Sequence, residues 1–307
     1  MEIFLRVAQQ VIILLILILL GVVLAKVKIL NSAGVSCITD VVLLFVTPCV
    51  IIQSFIRPFE PETLRGVLLS FAAAAGVHAL FIFLAHLLCR GKDEARKRVL
   101  RFGVVFTNCG YMSLPLQQAL LGEDGVLYGA SFIAIFNLIV WSYGITEMSG
   151  DVKYISPKKL LLNPGIIGLA AGMVLFLFSL TPPAIIREPI GYLASLNTPL
   201  PMIIIGYHLA QSDILKAFRD RECMLAIALR LVIMPLMVLG ILYFLGMRGT
   251  MLTSMVIAAC APTAAITTMF SAKFGKATEL SVNMVSLSTV FSIITIPCIV
   301  TLSQLIG

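Results

Sequence analysis

Two polar, irregular stretches interrupt apolar segments at matching places in the two halves of the chain. The first is Phe-Thr-Asn-Cys-Gly-Tyr-Met-Ser-Leu-Pro at 106–115, and the second is Ala-Ala-Cys-Ala-Pro-Thr-Ala-Ala-Ile-Thr-Thr at 258–268. Helix breaks free backbone amides and carbonyls that lipid cannot satisfy, so they are tolerated where they face protein or a watery cavity. Paired broken helices are the sequence pattern typical of a transporter's substrate site. The alternative is that both breaks are only structural kinks.

The polar side chains around both breaks are neutral donors. If new helices begin near 113–115 and near Thr263, both helix N-termini point toward the middle of the membrane. Each N-terminus carries unpaired N–H groups and about half a positive charge, which favours an anion. A carboxylate suits such a site. The donors are Thr107, Asn108, Tyr111, Ser113, Thr263, Thr267 and Thr268.

Arg230 is the only basic residue deep inside an apolar segment. It lies eight residues beyond Glu222, which is about 12 Å along a helix that rises about 1.5 Å per residue. Charge at such depth is costly and commonly functional. We predict that Arg230 attracts an anionic substrate from the cytoplasm. The alternatives are that its side chain extends back to the headgroups or pairs with structural carbonyl groups.

The composition is that of an integral membrane protein: 60% of residues are hydrophobic and 12% charged, with a mean hydropathy of +1.06. The net charge of +7 resides in short loops between apolar segments, so we expect lipid and not nucleic acid as the neighbour. The seven cysteines form no CxxC pair, and no GxxxxGK[ST] motif, acid dyad or Ser–His pair is visible. We therefore expect no metal, cofactor or enzymatic activity.

The apolar segments predict ten membrane spans, because a helix needs about 20 residues to cross the hydrocarbon core. They lie near 7–25, 34–56, 66–89, 102–122, 125–146, 160–180, 191–212, 223–246, 249–272 and 280–305. Thr47-Pro48 recurs as Thr198-Pro199, and Leu121-Gly122 as Phe274-Gly275. We predict an all-α fold of two inverted five-helix repeats, residues 1–149 and 158–307, that together form one membrane domain.

The distribution of Lys and Arg predicts the orientation. The loops after the odd-numbered spans hold 16 of these residues, and the N-terminus with the other loops holds 5. Because cytoplasmic loops carry the excess of positive charge, both termini are expected outside the cytoplasm. We expect a bacterial inner (plasma) membrane.

Several local patterns have simpler structural interpretations. Asn163-Pro164 reads as a helix cap and first-turn proline, and residues 181–188, with two prolines, read as a loop. His78, His86 and His208 lack a second ligand at metal spacing, so we interpret them as hydrogen-bonded packing residues.

The order and spacing of five motifs resemble the auxin efflux carrier family of membrane transport proteins, in its short prokaryotic form. The motifs are Asn-Cys-Gly-Tyr-Met-Ser-Leu-Pro at 108–115 leading to Leu-Leu-Gly at 120–122, Asn-Pro-Gly-Ile-Ile-Gly-Leu at 163–169, Pro-Leu-Pro-Met-Ile-Ile-Ile-Gly-Tyr-His-Leu-Ala at 199–210, Ala-Pro-Thr-Ala-Ala at 261–265 and Lys-Phe-Gly at 273–275. Together they extend over most of the chain.

This resemblance implies crossed, proline-broken fourth and ninth helices. It also implies a scaffold of spans 1, 2, 6 and 7 that forms a homodimer interface and against which the other spans move like an elevator. Family substrates are organic anions, such as indole acetate in plants and malate or malonate in bacteria. By motif position, the resemblance implies that Asn108 and Pro115 fall in the substrate-contacting break of the fourth helix, with Pro262 as the counterpart in the ninth. Plant members carry a polar amide in the second break, where this chain has Ala261 and Thr263.

We therefore predict a secondary transporter of a small organic anion. A sodium-coupled carrier of the bile-acid type is the alternative within transport, although the clustered carboxylates and amides that hold the ion are scarce here. A membrane sensor that binds ligand without transporting it is the alternative outside transport.

Overall fold

The structure is a computed structural model that describes residues 2–90, 93–156, 158, 162–211 and 218–307, apart from the side chains of 2–4 and 6. Within these ranges the chain is helical, and the only β-type pairing is one isolated bridge. Lys92, Lys159 and Lys216, the side chain of Arg6, and the predicted span ends at 160 and 212 lie outside the described residues.

Twelve helices are formed by the described residues. They are α1 (Glu2–Lys26), α2 (Ser32–Ser54), α3 (Pro61–Leu88), α4 (Glu94–Val105), α5 (Cys109–Ser149), α6 (Pro164–Leu177), α7 (Ala184–Ser195), α8 (Pro199–Ala210), α9 (Arg221–Phe244), α10 (Gly249–Cys260), α11 (Ile266–Lys273) and α12 (Thr278–Ile306). A short 3₁₀ turn, Val152–Tyr154, follows α5.

Six of the described helices are long and apolar enough to cross a membrane: α1, α2, α3, α5, α9 and α12. Helices α6 and α10 are apolar but shorter. Helix α5 is kinked at Gly122, where φ is 65° and ψ is −151°. Such a positive φ suits glycine because it has no Cβ. The Gly122 turn thus separates a first part of α5, within the predicted fourth span, from the predicted fifth span.

Three helices contain a five-residue π-helical turn that ends two residues before a proline. Proline lacks an N–H, and its ring clashes with the carbonyl four residues earlier, so a wider turn in front of it relieves the clash. The turns and their prolines are Val42–Val46 with Pro48, Cys109–Ser113 with Pro115, and Leu229–Ile233 with Pro235.

Of two predictions made at helix starts, one is confirmed and the other is wrong in part. Asn163 caps α6 as predicted, because its side-chain oxygen accepts the Gly165 amide at 2.9 Å. The prediction of a loop over 181–188 was wrong in its second half. Helix α7 already begins at Ala184, immediately after Pro183, and proline is well tolerated beside a helix start because no intrahelical donor is lost there.

The helices pack in two groups. Helix α1 packs along α8, and α2 packs against α6 and α7. In the other group α5 packs against α3 and α10, while α12 packs against α10 and α11. Contacts of α1 with α12 and of α2 and α6 with α5 join the groups. This division places α8 opposite the segments that carry the polar breaks.

The α1–α8 contact depends on glycine. A Cβ on Gly206 would overlap the Ile18 carbonyl oxygen and approach the Gly21 Cα to 2.8 Å. Small residues at such positions let membrane helices approach backbone to backbone. We expect Gly206→Val to lower the free energy of unfolding by about 1–3 kcal/mol or more, the range typical of overpacking. Tm and folded yield should fall accordingly.

Gly240→Val is the matched control for this substitution. Gly240 lies in α9, and a Cβ there would meet nothing within 4 Å. Equal Tm values for the two variants in detergent would contradict the close α1–α8 packing.

Candidate functional site

The two polar breaks meet and pair through their backbones. The chain is extended between α4 and α5 and again between α10 and α11, where Thr107 and Thr263 form an antiparallel bridge. The Asn108 amide donates to the Pro262 carbonyl at 2.8 Å, and the Ala264 amide donates to the Phe106 carbonyl at 2.9 Å. Backbone groups released by one break are therefore satisfied by the other. We call residues 106–108 and 261–265 the crossing.

The helices resume at positions that differ from the prediction. We predicted new helices near 113–115 and near Thr263, but they begin at Cys109 and Ile266. In the first break, the π-helical turn Cys109–Ser113 lets the helix start six residues before Pro115. In the second, Thr263 and Ala264 are held in the crossing, so helix α11 starts only after them.

A small cavity of about 20 Å³, room for about one water molecule, lies beside the crossing. Asn108, Tyr111 and Ala265 form its wall on the crossing side. Asn108 and Ala265 immediately precede α5 and α11, so the N-termini of both helices are at this wall. The first N–H groups of a helix have no intrahelical acceptor and carry a partial positive charge. The wall is thus electropositive although none of these three side chains is charged.

The opposite walls come from α8 and α12. Helix α8 contributes Ile204, Ile205, His208 and Leu209, and α12 contributes Val285, Ser286 and Thr289. No described lining residue is acidic. The cavity therefore combines an apolar body with a few polar groups, as small-molecule sites commonly do.

Asn108 is the lining residue best placed to donate to a ligand. Its backbone amide is held by Pro262, and the residue is only 6% exposed. Its side-chain amide makes no hydrogen bond within the described part of the chain. A side-chain amide offers two N–H donors and one acceptor oxygen, so Asn108 can bind a carboxylate without breaking an existing bond.

The other predicted donors differ in their surroundings. Tyr111 lines the cavity. The Ser113 hydroxyl donates to the Ile257 carbonyl at 3.2 Å, and the Thr263 hydroxyl donates to the Gly103 carbonyl at 3.0 Å. The Thr267 hydroxyl is buried without a partner among the described residues. Pro115 and Pro262 are buried beside these groups.

Arg230 is completely buried and is bound to backbone carbonyls. Its Nε donates to the Ala261 carbonyl at 3.1 Å, and one terminal nitrogen, Nη2, donates to Ala261 at 3.0 Å and also to Ala259. The other, Nη1, donates to Val104 at 3.3 Å. The structure therefore shows the alternative in which Arg230 pairs with structural carbonyls. A role in attracting the anion stays a prediction.

Sequence reasoning missed part of the cavity wall. His208 was predicted to be a packing residue, but it lines the cavity. Ser286 and Thr289 were not singled out at all. A helix of this composition contains many hydroxyl residues, and only the packing of α12 shows which of them face the crossing. His78, by contrast, is the predicted packing histidine, since it is buried and bound to the Ala74 carbonyl at 2.8 Å.

An ion cluster joins the first turns of the helices that lead to the crossing and to Arg230. Arg96 of α4 pairs with Asp220 at 2.5 Å and with Glu222 at 2.7 Å, next to the start of α9. Burial opposes ionisation of Asp220, but hydrogen bonds from Arg96 and the Cys223 amide outweigh it and lower the pKa of this carboxyl. The cluster fixes α4 and α9 to one another.

Comparisons with known proteins give consistent results. The family model described as "Membrane transport protein" matches residues 6–158 and 151–300. An "Uncharacterized transporter" of Methanothermobacter thermautotrophicus is 26% identical over 303 residues, which is 96% of this chain and 98% of that protein. "Auxin efflux carrier component 1" of Arabidopsis thaliana is 26% identical over 121 residues, which is 38% of this chain and 20% of that protein.

Proposed function

The chain belongs to the membrane transport protein family, the family of the auxin efflux carriers, and from this premise we propose that it is a secondary transporter of a small carboxylate. The observation that carries the proposal is the pair of helix N-termini at one cavity wall, beside the uncommitted amide of Asn108. Each N-terminus contributes about half a positive charge. Two of them balance roughly one carboxylate without any basic side chain in the cavity.

A substrate bound there would contact Asn108 and Tyr111 from one side and Ser286 from α12. Thr263 and Ser113 would act indirectly, because their hydroxyls fix the carbonyls of Gly103 and Ile257 beside the crossing. Pro262 keeps the second break from closing into regular helix, and Pro115 keeps the turn Cys109–Ser113 π-helical. Thr267 has a buried hydroxyl without a partner among the described residues, in the first turn of α11.

Ten spans in two inverted five-helix repeats remain our interpretation of the topology. Helix α4 with the first part of α5 would be the fourth span, and α10 with α11 the ninth. Helix α1 packs on α8 of the seventh span, just as α6 packs on α2, which is the exchange expected if spans 1 and 6, and 2 and 7, are related by a two-fold axis. The charge asymmetry of the loops supports an orientation with both termini outside the cytoplasm, in what we propose is a plasma membrane.

The grouping of the helices supports an elevator-like movement. In this proposal α1, α2, α6, α7 and α8 form the scaffold and the surface through which two copies pair, and the remaining helices carry the crossing. The cavity lies between the crossing and α8. A movement of the crossing along α8 would therefore expose a bound carboxylate first to one side of the membrane and then to the other.

A ligand panel on the purified protein tests this function. We expect at least one mono- or dicarboxylate to raise Tm, since a ligand at 100 times its Kd stabilises by about 2.7 kcal/mol. The uncharged amide of the same acid is the control and should leave Tm unchanged. Stabilisation by cations or neutral solutes, with none by any carboxylate, would refute the proposal.

A further inference from the structure

The surroundings of Arg230 are those of a cation site built from backbone carbonyls. The guanidinium makes four hydrogen bonds to the carbonyls of Val104, Ala259 and Ala261. It lies 5.0 Å from the centre of the Phe81 ring, a cation–π distance. Among the described residues, no carboxylate lies within ion-pair distance of it.

The three carbonyls belong to the ends of the two helices that stop at the crossing. Val104 lies in the last turn of α4, Ala259 in the last turn of α10, and Ala261 directly follows α10. The last carbonyls of a helix have no intrahelical donor, and each helix C-terminus carries about half a negative charge. Two C-termini sum to about one negative charge, which the single positive charge of Arg230 balances.

Carbonyl groups at such helix ends commonly coordinate the sodium ion of sodium-coupled transporters. We infer that Arg230 is a fixed internal cation that occupies such a carbonyl site, so that the crossing is held in shape without a bound coupling ion. Its guanidinium stays charged at every physiological pH. The effect on transport rests on the proposed function above, and there Arg230 acts as a positioning residue that holds α4 and α10.

Removing the guanidinium should leave a carbonyl-lined space that a small cation can fill. For Arg230→Ala we expect a lower Tm in choline chloride, because choline is too large to enter. Low-millimolar guanidinium, which replaces the missing group, should recover much of the lost Tm. Sodium chloride should recover a smaller part, because a bare ion makes contacts of different geometry.

The experiment compares Tm of the purified proteins in choline chloride, in sodium chloride, and in choline chloride with low-millimolar guanidinium. Arg248→Ala is the matched control. Arg248 also stacks on a ring, that of Tyr243 at 3.8 Å, and also donates to two carbonyls, but it lies near the exposed start of α10. For wild type, and likewise for Arg248→Ala, Tm should not change between the three solutions.

Arg230→Lys is the second variant, because it keeps a positive charge at the site. We expect its Tm to lie between those of wild type and Arg230→Ala, with no response to guanidinium. If Arg230→Ala folds only when purified with guanidinium or sodium, the inference is supported. If it fails to fold in every solution, or has the same Tm in all of them, Arg230 is an ordinary structural residue and the inference is wrong.

No carboxylate takes part in this measurement, so its failure is distinct from that of the proposed function. A protein that binds carboxylates and shows no cation response in Arg230→Ala would retain the anion site and lose only the internal-cation role.

Discussion

Replacing Asn108 by alanine is expected to weaken carboxylate binding by about 1.5–3 kcal/mol, the range for a hydrogen bond to a charged group. That loss corresponds to about a 10- to 150-fold rise in Kd. The physical reason is that the Asn108 side-chain amide lines the cavity without any other hydrogen bond in the described residues. The backbone bond from Asn108 to Pro262 is unaffected by the substitution, so the crossing itself should persist.

The measurement is a titration of wild type and Asn108→Ala with the carboxylate that stabilises the protein best. Gln304→Ala is the control, since Gln304 is an amide residue near the end of α12, outside the cavity wall. Its Kd should equal that of wild type. An unchanged Kd in well-folded Asn108→Ala would remove this residue from the binding site.

The two breaks could be located from the sequence because their physical signal is local. Proline, glycine and clustered polar residues inside an apolar segment mark places where a membrane helix cannot continue regularly. The bridge between Thr107 and Thr263 shows that the two breaks meet, and that they form one substrate site stays a prediction. The helix starts were misplaced, because a π-helical turn such as Cys109–Ser113 has no composition of its own that distinguishes it from α-helix.

The depth of Arg230 was also visible in the sequence, but the direction of its guanidinium was not. Four hydrogen bonds to carbonyls of residues far from it in sequence depend on how α4, α9 and α10 pack. The same holds for His208 and Ser286, which reach the cavity only through the placement of α8 and α12. Single-residue patterns carry no information about such long-range contacts.

The two groups of helices give the proposed movement a specific geometric consequence. Ala265 belongs to the crossing and Ile205 to α8, and both line the same cavity. A covalent link between them would fix the crossing to the scaffold. Arg96 and Asp220, which pair at 2.5 Å, both lie on the group that would move, so a link between those positions would leave the movement free.

Transport by cross-linked protein is the measurement that tests the movement of the crossing along α8 most directly. Cysteine pairs at 265 with 205, and at 96 with 220, are placed in a background without the seven native cysteines and treated with a bifunctional thiol reagent in proteoliposomes. We predict that the 265–205 link abolishes carboxylate uptake. The 96–220 link should leave uptake near its untreated rate. The single cysteines at 265 and 205, treated with the same reagent, measure the uptake lost when the cavity wall is modified without a link. Full uptake by protein carrying a complete 265–205 link would contradict the account.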